Sequence, residues 1–175
     1  MTMTPGLRKL ALAAHVTTSV GWLGAVAGSL ALAIAGLASQ DPETVRAVYV
    51  ALELTGWFVL VPLSVASLLT GIVQSLGTKW GLFRHYWVLA KLVINLLATI
   101  ILLLYTQTLS TLADVAGDTP GASGDPSPVL HAGVGLLLLL GATLLAVYKP
   151  RGLTRYGLRK QRERRASDEA VRAQA

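Results

Sequence analysis

Charge disappears from this chain for long stretches, and it does so four times. No charged residue stands between Leu10 and Gln40, one acid (Glu53) interrupts Ala47 to Leu76, one base (Lys91) interrupts Tyr86 to Ala113, and none falls between Val129 and Tyr148. A bilayer's hydrocarbon core is crossed by ~20 apolar residues in helical form, so each stretch is long enough to span it. The pattern predicts an all-α polytopic membrane protein, an antiparallel bundle of four transmembrane helices over about residues 8–38, 46–76, 85–113 and 128–149. That bundle fills residues 1–157, and a basic tail follows over 158–175. Within the first span, Gly21, Gly24, Ala25 and Gly28 recur at the small-xxx-small spacing that lets a neighbouring helix come close. Pro62, near the middle of the second span, predicts a kink there, with Thr55 or Ser64 available to the carbonyls it frees.

Composition narrows this picture. A mean hydropathy of +0.59 and 53% hydrophobic residues leave room for one bundle and no separate soluble domain. Arg8 and Lys9 ahead of an apolar run resemble a signal peptide, but the run is too long for one and more spans follow, so a retained helix is expected. The chain has no cysteine, which excludes disulfides, thiolate metal sites and thiol catalysis.

The loops give a direction. Lys and Arg resist transfer across the membrane, and they stand before the first span (Arg8, Lys9), between the second and third (Lys79, Arg84), and after the fourth (Lys149 through Arg165). The other connections carry Asp41, Glu43, Asp114, Asp118 and Asp125 against Arg46 alone. Both termini are therefore expected in the cytoplasm, with the protein in the cell's inner (plasma) membrane. The net charge of +6 is mostly tail, which suits anionic lipid headgroups near Arg151 to Arg165 rather than nucleic acid; a solvated tail that only fixes topology is the plainer alternative. Trp80, Phe83, Tyr86 and Trp87 are placed to form an aromatic belt at headgroup level, and the Gly-, Asp- and Pro-rich stretch from Ala116 to Pro128 reads as loop.

Ionisable residues inside spans are costly and usually face the interior, where they mark function. His15 lies six residues past Lys9 and Lys91 seven past Arg84, so both sit ~9 to 10 Å in from the basic boundary and share a level. Trp22 stands two turns beyond His15, while Trp87, Lys91 and Asn95 form an i, i+4, i+8 stripe. A polar and aromatic seam between the first and third spans is expected. Two uses of it compete. Lys91 snorkels and His15 bonds a carbonyl or a Thr across helices; or His15 offers a neutral imidazole to a metal, most plausibly haem iron, with Lys91 as an acid, a propionate partner or a second ligand. His85 lies at the surface. Glu53 and His131, near the opposite boundary, are candidates for a second, outward metal or proton site, or for a structural salt bridge.

The segments AAHVTTSVGWLGAVAG, VPLSVASLLTGIVQSLG and WVLAKLVI resemble the His-x6-Trp-x-Gly, Pro-x8-Gly and Trp-x3-Lys signatures of the small four-helix HemJ and CopD-like membrane proteins. The ending HAGVGLLLLLGATLLAVYKPRGLTRYG is similar to an uncharacterised bacterial membrane family of the same broad group. HemJ proteins are haem-b-associated protoporphyrinogen oxidases with an essential histidine on the first helix and lysine on the third. The resemblance implies those roles for His15 and Lys91. Before its last helix the chain reads DPSPVLHAG where HemJ proteins carry Arg-Asn-Glu-Pro, so a shared haem scaffold with a different use is expected rather than the same enzyme. The expectation is thus b-type haem on His15 as iron ligand, with Trp22, Trp87, Lys91 and Asn95 lining the pocket, Lys91 the candidate for chemistry, and a quinone or respiratory component as electron partner. A CopD-like copper role through Glu53 and His131 is the alternative, although Met1 and Met3 are the only thioethers. A non-enzymatic accessory subunit, alone or as a homo-oligomer, is the third.

Overall fold

The computed structural model describes residues 3–77, 81–118, 124–150 and 152–173. Helix α1 runs over Pro5–Ala38; the Thr4 hydroxyl accepts the Leu7 N–H, and Pro5 stands where no N–H is needed. Helix α2 (Pro42–Thr55) starts earlier than the apolar pattern indicates, because the Asp41 carboxylate caps the N–H groups of Glu43 and Thr44. The Thr44 hydroxyl and these two amides hold the Asp41 carboxyl below its ordinary pKa. A π turn over Gly56–Leu60 joins α2 to α3 (Val61–Leu76). Then come α4 (Tyr86–Asp118), which continues five residues past the expected end of its span, α5 (Ser127–Tyr148) and the polar helix α6 (Arg155–Ala173). Four helical spans are long and apolar enough to cross a membrane: α1, the joined α2–α3, α4 and α5. The protein is a multi-pass, all-α membrane protein.

The π turn is the form the Pro62 kink takes. Pro62 has no N–H for the Phe58 carbonyl, and its ring would strike that oxygen in an α-helix. The chain widens instead: the Val61 N–H reaches back to Gly56 O. The Ser64 hydroxyl then donates to the Val61 carbonyl at 2.9 Å.

The spans form a ring in chain order. The α2–α3 span and α5 each pack against both α1 and α4, while no close backbone approach joins α1 to α4 among the described residues. Spans one and three are therefore diagonal, so the space expected between them lies across the middle of the ring rather than at a packed helix pair. The small residues of α1 divide as well. Gly21 meets Leu63, but a Cβ at Gly24 or Gly28 would touch nothing within 4 Å, so these two face outward. The close approach is made by Gly36, where a Cβ would lie 2.8 Å from Val48 Cγ1.

At the basic end, α6 is tied to the connection between α3 and α4. His85 and Leu153 form an antiparallel bridge, and Thr154 donates its N–H to Arg84 O at 3.0 Å. The Thr154 hydroxyl donates to Phe83 O and accepts the Gly157 N–H, capping α6. Gly157 is obligatory there: a Cβ would sit 2.4 Å from the Arg84 carbonyl oxygen. Of the aromatic belt, Phe83 and Tyr86 are exposed, and Trp80 lies outside the described residues.

Candidate functional site

His15 sits ten residues into α1 and turns its ring toward α3. Its Nδ1 lies 3.2 Å from the backbone carbonyl of Ser67 and 3.2 Å from the Thr70 hydroxyl. A carbonyl oxygen only accepts, so Nδ1 carries the proton. The Thr70 hydroxyl donates its own proton to Ala66 O at 2.6 Å and thus accepts from His15. Nε2 is left as a bare lone pair. No hydrogen bond reaches it among the described residues, and it is not sealed, since the one buried polar side-chain atom there without a partner is Trp22 Nε1.

The surroundings of the ring are hydroxyls and a missing side chain. Ser19 and Ser67 share a hydrogen bond of 2.8 Å. Thr18 donates to Ala14 O at 2.9 Å and stands 3.4 Å from the Thr70 hydroxyl. Gly71 makes the space: a Cβ there would lie 3.0 Å from His15 Cε1. Such tight packing between helices that bury little apolar surface in lipid is how membrane helices associate. The seam therefore runs between α1 and α3. Gly71 was legible as the glycine of the Pro-x8-Gly signature; for Ser67 and Thr70 the signal available was their depth, matched to that of His15 and Thr18.

Lys91 is partly buried, on α4. Among the described residues no carboxylate pairs with it. The other expected pocket residues are elsewhere occupied. Asn95 donates its side-chain amide to Lys91 O at 2.8 Å, on its own helix. Trp87 is tilted against the His85 ring, centroids 6.3 Å apart. Trp22 is buried not beside His15 but in an apolar cluster with Val26, Leu60 and Leu139.

At the acidic end, no hydrogen bond or ion pair joins Glu53 to His131 among the described residues. The His131 ring instead stacks on Tyr105, centroids 3.6 Å apart and planes at 10°. Its Nδ1 donates to Ser127 O at 2.9 Å. Tyr105 and Ser127 share a hydrogen bond of 3.0 Å between hydroxyls, and the Ser127 N–H donates to Asp125 at 2.7 Å. Among the described residues no three of His, Cys, Asp and Glu come together as a metal site. No family model, curated protein or solved structure matches the chain.

Proposed function

We propose that the protein binds b-type haem within the plasma membrane near its cytoplasmic side, where His15 would hold the iron, and serves a redox role. The observation that carries this reading is the state of the His15 imidazole. Its Nδ1–H is tied to the Ser67 carbonyl, which fixes the tautomer and leaves Nε2 with its lone pair; metal-bound histidines are held in this way by their other nitrogen. The plainer use of His15, a cross-helix hydrogen bond to a carbonyl and a Thr, is present too, but it occupies one nitrogen and leaves the other.

Lys91 supports the same reading. A lysine without a carboxylate partner at this depth is expensive, and a propionate carboxylate would complete it. Haem iron, when bound, supplies one-electron chemistry. The chain's own part is to hold the imidazole by its Nδ1–H and to supply the cation of Lys91 from the diagonally placed α4. The loop charges support a site near the cytoplasm with both termini on that side, and the charge of α6 suits anionic headgroups. The resemblance to HemJ proteins at His15 and Lys91 points the same way. The copper reading has less support, because no hydrogen bond or ion pair joins Glu53 to His131 among the described residues.

Protein purified from haem-replete cells should show a Soret band whose reduced form carries resolved α and β bands, and His15→Ala should abolish it while still inserting. A colourless wild-type preparation overturns the reading. Copper bound in stoichiometric amount, and lost in His131→Ala, would move the assignment to the acidic end.

A further inference from the structure

Two polar residues stand on the outer side of the bundle where apolar side chains surround them. Val48 packs on Gly36 of α1. Glu53, five residues on, is turned ~140° from it around the helix, so it stands half-buried on the flank of α2 that adjoins α4. On α4, Tyr105 faces α5 by stacking on His131, and Thr106 faces α2, its Cγ2 3.3 Å from where a Cβ on Gly56 would lie. Gln107 takes the next step of ~100° in the same sense and comes out exposed beside α2. Trp57, Leu103 and Leu104 on the same outer surface are exposed too, which makes this a lipid-facing wall.

The wall carries a second polar row nearer the acidic end. Seven residues separate Arg46 from Glu53 on α2 and Gln107 from Asp114 on α4, about two turns, so the members of each pair share one side of their helix. Glu53 and Gln107 thus lie ~10 Å further into the membrane than Arg46 and Asp114. The two helices run in opposite directions with Gly56 level with Thr106 and Leu109. That puts Arg46 within about a turn of Asp114 in depth, and Glu53 within about a turn of Gln107. Yet among the described residues no ion pair or hydrogen bond reaches any of these four side chains. A carboxylate and an amide left unpaired against hydrocarbon are costly. An acyl chain offers them neither donor nor acceptor, and a headgroup stays at the shallower row.

We propose that this face of α2 and α4 is the interface between two copies of the chain, related by a two-fold axis along the membrane normal. Such an axis keeps every residue at its own depth and sets α2 of each copy against α4 of the other. The face is complementary to itself in both rows. Arg46 meets Asp114 of the second copy at the rim, and Gln107 donates its side-chain amide to Glu53 of the second copy within the bilayer, each contact being made twice. Polar side chains join membrane helices in this way. The interface stands on residues distinct from His15, Lys91 and the hydroxyl seam, so it does not depend on haem being bound.

The test uses the full chain, which has no cysteine of its own. Exposed Val50 lies between Arg46 and Glu53 on this line, and exposed Thr111 between Gln107 and Asp114. Two differently tagged chains, one with Val50→Cys and one with Thr111→Cys, are coexpressed and their membranes oxidised with copper phenanthroline. A mixed disulfide dimer should form, whereas chains with Gly24→Cys on α1 or Leu137→Cys on α5, also lipid-exposed, should not join. In liposomes, subunit counting over a series of protein-to-lipid ratios should show that Gln107→Glu raises the dimer dissociation constant about tenfold and that adding Glu53→Gln restores it. No mixed dimer, equal joining through Gly24→Cys or Leu137→Cys, a cross-link to a different protein, or failure of the exchanged pair to restore association each overturns the proposal. If Gln107→Glu does not insert, the disulfide result decides, because that pair leaves all four polar residues in place. His15→Ala should keep the cross-link while losing the Soret band, which separates failure of the interface from failure of the haem reading.

Discussion

A methyl group added at residue 71 would lie 3.0 Å from Cε1 of His15, closer than packed carbons tolerate, and α3's backbone cannot move away without parting the Ser19–Ser67 pair at 2.8 Å. The ring must give instead. Turning it lengthens the Nδ1–Ser67 bond and re-aims Nε2, so Gly71→Ala tests whether the exact setting of this imidazole matters or only its presence. We expect Gly71→Ala to insert normally but to lose or shift the Soret band, with melting lowered by ~1 to 3 kcal/mol as for other overpacked sites. Gly24→Ala, where a Cβ touches nothing within 4 Å, should leave spectrum and stability unchanged. An unaltered spectrum in Gly71→Ala would show that the presence of His15 suffices and that the fine setting of its ring does not matter. The sequence marked His15 and Lys91 as misplaced polar residues and gave their common depth. It marked Gly71 only as the glycine of the Pro-x8-Gly resemblance and not what that glycine does, because a glycine's role lies in what its neighbour occupies, and the neighbour is on another helix.

Along the second span, buried positions fall at Leu52, Gly56, Leu60 and Ser64, four residues apart each time. In a regular α-helix a four-residue step overshoots a turn by ~40°, so three steps would swing the buried line ~120° around the axis. The π turn at Gly56–Leu60 takes up that drift and keeps Val48 and Ser67 on the same side of the bundle. One residue is in effect inserted there. Deleting exposed Val59 in a Pro62→Ala background should therefore restore an unbroken α-helix with both buried faces in place, and the protein should insert and melt within a few degrees of wild type. Deleting exposed Val65 from α3 instead turns one face by ~100° relative to the other and should abolish folding, as read by loss of monodisperse protein in detergent. Equal damage from the two deletions would show that the wide turn is not a register device. The apolar pattern located this span and Pro62 located its break. The break's form was hidden, since a spacing of four becomes evidence only once the buried residues are known.

Charge divides the whole molecule by its ends. Of the basic residues, Arg46 alone lies at the acidic end and Lys91 alone deep within a span; the rest gather with Arg8, Arg84 and the tail. The four apolar runs and this division were enough to foresee an up-and-down bundle with its termini together, because hydrophobic length and loop charge act locally and need no partner. Which spans touch was beyond them: helices in lipid are sorted by side-chain packing and hydroxyl pairs, so the diagonal placement of α1 and α4 had no mark in either one alone. Orientation, in contrast, should follow charge, and it is reinforced by a device of the fold. Thr154 and Gly157 dock α6 against Arg84, so the tail's charge and that of the α3–α4 connection act as one basic block that must stay on one side. The chain's lack of cysteine makes the test direct. In spheroplasts, a membrane-impermeant maleimide should label Gln40→Cys, between α1 and α2, before lysis, and Ser167→Cys, on exposed α6, only after it. The reverse order would invert the protein and put the His15 site on the outer side; labelling of both before lysis would mean that the two ends do not lie on opposite sides of the membrane.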